Sequence, residues 1–266
     1  MEKNKVVVFQ GGLGNQLFQY SFLSKLREDG YNTRFLNDAQ KSHNGFEIGK
    51  YFVVDMMKCS TIRNVQFRLL KKLYQHGFKH VISTDNRFDV NRVFQVGYWQ
   101  ERKYFPREDC ICFKRLKLDA RNESVLSRID GELAVAIHIR RGDYLLPPHN
   151  KRFAGICTKE YYEKAISIIE HKFDNPLYLF FSNDMKWVRE NFNFPESQCI
   201  FVDWNTGNKS IFDMYLMSRC KAIIMANSTF SYWGARLGKD NIVIYPQKWF
   251  QDIPAPDIFP LDWLGI

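Results

Sequence analysis

Leu133-Ala134-Val135-Ala136-Ile137-His138-Ile139-Arg140-Arg141-Gly142-Asp143-Tyr144 is an apolar run that breaks into a polar cluster. Its first residues include a β-branched member and read as a buried strand. The segment from His138 to Tyr144 then falls where that strand gives way to a loop. In open α/β sheets ligands collect at the carboxyl ends of strands. Two arginines and a histidine there suit an oxyanion, because guanidinium is planar, permanently charged and binds phosphate in a bidentate fashion. The plainer alternative is an Arg–Asp ion pair that closes the loop.

Working outward, the alternation of short strands and helices is regular. Thr158 is a candidate N-cap for a helix running to about His171. Leu177-Tyr178-Leu179-Phe180-Phe181 reads as a strand ending in Ser182-Asn183-Asp184, with a helix around Trp187 and Val188 after it. Ile200-Phe201-Val202 is a strand, Ile211 to Arg219 a helix, and Lys221 to Met225 another strand. A polar loop, Ala226 to Ser231, precedes a helix expected from Tyr232 to Leu237, and Ile242-Val243-Ile244-Tyr245 closes the series. Repeated strand–helix units imply a parallel, doubly wound sheet. Pro246, Pro254, Pro256 and Pro260 mark an extended tail.

The N-terminal part repeats the theme. Lys5 to Gln10 is a strand, Gly11-Gly12-Leu13-Gly14-Asn15-Gln16 a tight turn, and Leu17 to Leu26 a helix. Glycine lets a backbone approach a ligand closely. The spacing is not that of a dinucleotide fingerprint, which argues against a nicotinamide dehydrogenase. Asn15 is either a helix cap or a hydrogen-bonding group in a cleft. The stretch from Asn37 to Lys117 has mixed periodicity. Two α/β units are expected, 1–125 and 126–266, joined near Asp119 to Gly131.

The chain has 266 residues, a formal net charge of +9 and 16% aromatic residues. It is long enough for two compact domains. Such a charge favours anionic partners: nucleotide, nucleic acid or an acidic membrane face. The segment Arg63 to His80 mixes basic and apolar residues and could rest on anionic lipid; a solvated face of a domain helix is the favoured reading. The N-terminus does not read as a signal peptide, and no apolar run is long enough to span a bilayer, so a cytoplasmic protein is expected. The cysteines at 59, 110, 112, 157, 199 and 220 show no metal-ligand spacing and are expected as reduced thiols.

The polar loops carry the chemistry. Arg140 and Arg141 could neutralise a diphosphate, and the hydroxyls of Ser228, Thr229 and Ser231, with the helix start beside them, could donate to the same oxygens. Asp213 could accept two hydrogen bonds from a guanine edge, although on periodicity alone a surface charge or a helix-end partner is favoured. No Asp-x-Asp occurs, so fixed cationic groups would replace a divalent metal on the leaving group. His43-Asn44-Gly45-Phe46-Glu47 and Gly97-Tyr98-Trp99-Gln100 bring together amides, a carboxylate and aromatic rings, the groups that hold sugars.

These segments, with Gly11 to Tyr20, Lys103-Tyr104-Phe105, Phe181 to Asp184, Asp213 to Ser218 and Ala226 to Ala235, occur in one order across nearly the whole chain. In that order the sequence resembles the α-1,2-fucosyltransferases, inverting enzymes that use GDP-fucose. The resemblance implies an α/β GT-B-like architecture, two Rossmann-like domains facing a central cleft: acceptor side at 1–125, GDP-sugar donor side at 126–266. It implies transfer of L-fucose from GDP-β-L-fucose to the 2-hydroxyl of a terminal galactose, with no metal or other cofactor. Arg140 would contact the β-phosphate, His138 would help place the nucleotide, and Asp213 would read guanine. Ser228, Thr229 and Ser231 would hold phosphate oxygens, with Gly14, Asp184 and Asn227 also against the donor. Asn15 would lie near the reacting sugar, and Arg140, Asn15, His138 and Asp143 make up the expected catalytic set, although no general base is named. His43, Asn44, Trp99 and Gln100 would meet the acceptor. The rival readings are the same chemistry with an α-1,3 or α-1,6 linkage, and a basic nucleic-acid-binding protein. No recognition motif of the latter class is present, so no nucleic-acid partner is expected.

Overall fold

The structure is a computed structural model that describes residues 3–39, 44–78, 81–82, 87–108 and 111–266. The chain divides into two compact units, Met1–Leu116 and Lys117–Ile266. The expected boundary at 125 falls inside a helix, Ala120–Gly131, that belongs to the second unit. The segment read as a joint is therefore structured: Asp119 caps that helix by accepting from the Asn122 N–H, and Val125 and Ile129 are buried.

The first unit runs β1 (Asn4–Phe9), α1 (Leu13–Glu28), β2 (Asn32–Asn37), α2 (Ile48–Tyr51), β3 (Phe52–Val53), α3 (Thr61–Gln75), β4 (Phe94–Val96) and β5 (Cys112–Phe113). β2, β1 and β4 form a parallel sheet in that order, with Val7 opposite Phe35 and Gln95. β1 is central, which is why Val6 to Phe9 are apolar without alternation. Lys5 is buried on the same strand; its ammonium donates to the carbonyls of Val90 at 2.6 Å and Arg92 at 2.9 Å. α1 begins at Leu13, a turn earlier than the sequence suggests, with Gly12 as N-cap. Glycine and asparagine are poor helix formers, so the first turn reads as loop, yet it is helical with Leu13, Gly14 and Gln16 buried.

The second unit runs α4 (Ala120–Gly131), β6 (Ala134–Ile139), α5 (Asn150–Phe153), α6 (Lys159–Glu170), β7 (Leu177–Ser182), α7 (Met185–Asn191), β8 (Cys199–Val202), α8 (Ser210–Arg219), β9 (Ala222–Ile224), α9 (Thr229–Arg236), β10 (Ile242–Tyr245) and β11 (Leu264–Gly265). One six-stranded sheet has the order β11-β10-β9-β6-β7-β8, and every pair in it is parallel. β6 is buried throughout. From β6 the chain winds one way through β7 and β8, then returns to place β9 on the other side of β6. That reversal opens a crevice beyond the carboxyl ends of β6 and β9, the place where doubly wound sheets bind ligands. α6 covers one face with Tyr161, Tyr162, Ala165, Ile166 and Ile169, capped by Thr158 as its sequence indicates. α9 starts at Thr229 rather than Tyr232, because Ser228 caps it.

Candidate functional site

Three loops meet at the carboxyl ends of β6, β7 and β9. Arg140 follows β6 and sets its Nη2 2.9 Å from the Asp143 carboxylate, so the ion pair expected as the plain alternative exists. Asp143 also accepts from the Asn183 amide at 3.1 Å, and Asn183 accepts from the Arg141 N–H at 3.0 Å. Asp143 thus orients Arg140, not Arg141, and its place in the expected catalytic set becomes that of a partner to the guanidinium. A Cβ on Gly142 would come within 2.5 Å of the Asn183 amide nitrogen, so a larger residue there would displace the side chain that links the two loops.

Arg141 points elsewhere. Its Nε donates to Asp184 at 3.1 Å, and its guanidinium lies 4.1 Å from the Trp187 ring centroid. Asp184 also caps α7 by accepting from the Trp187 N–H. Both oxygens of Asp184 accept within the protein, and Arg141 turns toward α7 rather than toward Arg140. Arg140 is the one of the two whose loop is tied to the start of α9.

The loop after β9 differs from expectation residue by residue. The Asn227 side chain is buried; its amide donates to the Trp249 carbonyl at 3.1 Å and the Phe153 carbonyl at 3.4 Å. Ser231 is fully buried and its hydroxyl lies within reach of the Ala226 and Ser228 carbonyls. Ser228 is also buried, with its hydroxyl accepting from the Phe230 N–H. These three residues shape the start of α9 rather than offer side chains to a phosphate. Thr229 and Phe230 keep partial access to solvent there. The Tyr144 hydroxyl donates to the Asn227 carbonyl at 3.1 Å, and the Arg140 guanidinium lies 5.6 Å from the Tyr144 ring, so the arginine loop is tied to the α9 N-terminus. Tyr144 is a site residue that the motif contained and the sequence reading left without a role. An anion in this crevice would meet a guanidinium and a helix N-terminus.

His138 closes the crevice from below, its ring 5.8 Å from that of Phe230. Burial, then the Arg140 charge, pushes its pKa down to about 3, so the ring is neutral. Its Nδ1 has no hydrogen-bond partner among the described residues. A neutral buried imidazole with an open nitrogen offers a hydrogen bond, not a charge.

Asp213 stands in the first turn of α8, which packs against α9. Burial pushes its pKa up to about 8, against the opposing hydrogen bond from Asn205. Asn205 donates to it at 2.8 Å and in turn exchanges bonds with Asn122 at 2.8 and 3.0 Å. The Trp204 indole donates to the same Asn122 oxygen, with Arg121 stacked 3.7 Å from the Trp204 ring. The carboxyl is thus held in a fixed orientation by two buried amides, contrary to a surface charge. Sequence reasoning missed Asn122 and Asn205. They lie on segments far apart in the chain, and their types alone carry no signal of the pairing.

In the first unit, Asn15 alone between Leu13 and Leu23 is not buried; Gly14, expected against the donor, is buried in the first turn of α1. The Gln100 side-chain amide donates to Asn15 Oδ1 at 3.2 Å, so these two expected residues do come together. Asn44 has a φ of 61°, left-handed, and hydrogen-bonds Glu47, whose pKa burial raises to about 6. His43 lies outside the described residues. Trp99 is 1% exposed, and its ring stacks on Phe22 at 3.9 Å. It is core, so it presents no face to a sugar, which corrects its assignment to the acceptor.

Two glutamines fix this patch. Gln16, fully buried, donates to the carbonyls of Gly45 at 2.8 Å and Gly11 at 3.1 Å, and accepts from the N–H groups of Glu47 at 2.9 Å and Ile48 at 3.2 Å. Gln19 does the same for Gln10 and Gly97. Gln16→Ala is expected to cost about 3 kcal/mol, since buried groups left without partners cost about 1–3 kcal/mol each. Denaturant unfolding measures this; a change below about 0.5 kcal/mol, the scale of a neutral surface substitution, would contradict the bracing role.

Among the described residues no group of three or more His, Cys, Asp or Glu side chains is placed to hold a metal ion, and no helix is long and apolar enough to cross a membrane. Cys59, Cys112, Cys157, Cys199 and Cys220 are free thiols, and Cys110 lies outside the described residues.

Known proteins are similar to this chain in sequence. The O-antigen biosynthesis glycosyltransferase WbnK of Escherichia coli is 44% identical, over 96% of this chain and 98% of its own. An alpha-1,2-colitosyltransferase of the same species is 30% identical over 96% of both chains. Galactoside alpha-(1,2)-fucosyltransferase 2 of Rattus norvegicus is 30% identical over 96% of this chain and 75% of its own. Among solved structures, a glycosyl transferase family 9 protein from Veillonella parvula superposes with a TM-score of 0.50 at 13% identity, covering 92% of this chain and 81% of its own, a likeness of fold alone. The two Rossmann-like units are those of the GT-B fold. The description of Glycosyl transferase family 11 matches residues 4–266, and this chain belongs to that family of glycosyltransferases.

Proposed function

We propose that the protein transfers L-fucose from GDP-β-L-fucose to the 2-hydroxyl of a terminal galactose, with inversion and without a metal. The observation that carries this reading is the convergence of Arg140, His138 and the α9 N-terminus at the carboxyl ends of β6 and β9, with the braced carboxyl of Asp213 on the neighbouring helix. The names of the relatives support a 2-linked deoxysugar product. In this reading the first unit holds the acceptor through Asn15, Gln100 and Asn44, and the second holds the nucleotide sugar.

The galactose oxygen attacks the anomeric carbon of fucose from the face opposite the diphosphate. The bond to the β-phosphate oxygen breaks through an oxocarbenium-like state, and negative charge builds on the departing GDP. Arg140 and the Thr229 end of α9 meet that charge, the electrostatic role that a divalent cation fills in other sites. The hydroxyl proton passes to a base or to the leaving phosphate. Asp213 accepts the two N–H groups of the guanine edge.

Incubation with GDP-fucose, a galactose-terminated acceptor and EDTA is expected to release GDP at the rate seen with added Mg²⁺, and to give an α-1,2 linkage on product analysis. Turnover only with a divalent ion would overturn the metal-free part. Transfer of colitose and not fucose would overturn the donor, and an α-1,3 or α-1,6 product the linkage. Salt-sensitive binding to oligonucleotides with no transfer would favour the rival class.

A further inference from the structure

α3 has two apolar faces where a surface helix needs one. Phe67, with Leu70 and Tyr74, packs into the core of the first unit beside Val6, Leu36 and Phe94. Away from that face Ile62 is 79% exposed, Val65 53%, Leu69 59% and Leu73 43%. At about 100° per residue these four fall within about 80° of one another, and they extend about 16 Å along the helix. Four large apolar side chains in one exposed row are more than the scattered single residues of an ordinary surface.

The charge around the row has one sign. From Met56 to Thr84 the sequence holds Lys58, Arg63, Arg68, Lys71, Lys72 and Lys79 and neither aspartate nor glutamate. By helical geometry Arg68 and Lys72 border the row on one side. Lys71 is paired with Asp38 at 2.6 Å, whereas Lys58, Arg68 and Lys72 have no acidic partner among the described residues. Beside the N-terminal end of the helix a cavity of about 440 Å³ gathers Arg34, Lys58 and Arg63, continuing the cationic surface. A second copy of this chain seated on the row would bring like charges together. A surface that is both apolar and anionic fits.

We infer that α3 lies in the headgroup region of an anionic lipid bilayer, with Ile62, Val65, Leu69 and Leu73 against the acyl boundary and Arg68, Lys72 and Lys58 at the phosphates. Sequence patterning alone favours a solvated helix face; the exposure of all four apolar residues reverses that balance. An interfacial helix of this kind combines burial of an apolar face with attraction to anionic lipid.

The full chain is tested by co-sedimentation with vesicles of phosphatidylcholine alone and of phosphatidylcholine mixed with phosphatidylglycerol. Binding is expected to the mixed vesicles and not to the neutral ones. Arg68→Gln with Lys72→Gln should weaken it about thirtyfold, the scale of two basic residues at an anionic surface. Leu69→Ser with Leu73→Ser should weaken it at least about tenfold through lost apolar burial. Both pairs are exposed and lie outside the proposed site, so melting temperature and turnover of a water-soluble acceptor should stay at the wild-type values. No binding to the mixed vesicles overturns the inference. So does a serine pair that binds like the wild type, since charge alone would then suffice. A concentration-dependent dimer lost in the serine pair would assign the row to a second copy and overturn it equally.

Discussion

Arg140→Ala is expected to lower kcat by about a thousandfold while the protein stays folded. The residue lies after β6, about a third exposed, with Asp143 as its partner at 2.9 Å. In the proposed reading it exchanges that carboxylate for the β-phosphate, whose charge grows as the glycosidic bond breaks. Removing one such preorganised donor typically costs about 3–4 kcal/mol of transition-state stabilisation. The ion pair itself is open to water, so its loss changes folding stability by less than about 1 kcal/mol. Arg140→Lys restores charge without the planar fork and should recover only part of the rate. Arg141→Ala should behave differently, because that guanidinium holds Asp184 and Trp187. Its loss loosens the loop and lowers both thermal stability and activity. Steady-state kinetics with a thermal melt separates the two, and an Arg140→Ala enzyme within about fivefold of wild-type kcat would remove the clamp from the mechanism.

Asp213→Asn is expected to weaken GDP binding by about a hundredfold or more and to abolish its pH dependence. In the free protein burial holds the carboxyl at a pKa of about 8, so it is mostly protonated at neutral pH. In the proposed reading guanine presents two N–H donors to it, which favour the ionised form. Binding therefore releases a proton below pH 8, and GDP affinity rises with pH by up to about tenfold per unit until it levels above that value. Titration calorimetry in buffers of different ionisation enthalpy should read close to one proton released at pH 7. The asparagine replaces one acceptor by a donor against a donor edge, a mismatch on the scale of rejected analogues. Stability moves in the opposite sense. A carboxyl whose folded pKa lies above its unfolded value of 3.8 stabilises the fold most below that value, and the contribution is lost as pH rises through 8. The asparagine variant should thus melt higher relative to the parent at pH 9 than at pH 4. Unchanged affinity with a flat pH profile in the parent would remove Asp213 from base recognition.

The strands and helices of the second unit were legible because each strand is buried on both faces, so β6, β7 and β9 read as apolar runs. The ordered polar segments located the crevice for the same reason, since each follows one of those runs. Side-chain direction was not legible. Adjacent residues Arg140 and Arg141 look alike in sequence, but only Asp184 and Trp187, some forty residues away, decide that the second turns from the crevice. Hydroxyl residues at a helix start suit either a phosphate or a cap, and Ser228 and Ser231 serve the fold. Trp99 resembled a sugar platform by composition, whereas its left-handed φ of 57° and its stacking on Phe22 turn it into the core. The first turn of α1 was hidden because Gly14 and Asn15 have low helix propensity, and packing overrides that preference. The amides of Asn122 and Asn205 had no sequence signal at all.

β6 is paired with β9 through Val135 opposite Ala222, and with β7 through Ala134 opposite Leu177. Strands that meet across so much chain must close large loops before any pairing energy is gained, so the sheet assembles late in folding. A chain still on the ribosome, with β9 and α9 not yet emerged, carries the arginine loop without the wall that completes its crevice. In the proposed reading, a fragment that carries the whole arginine motif but lacks β9 and α9 would bind no nucleotide.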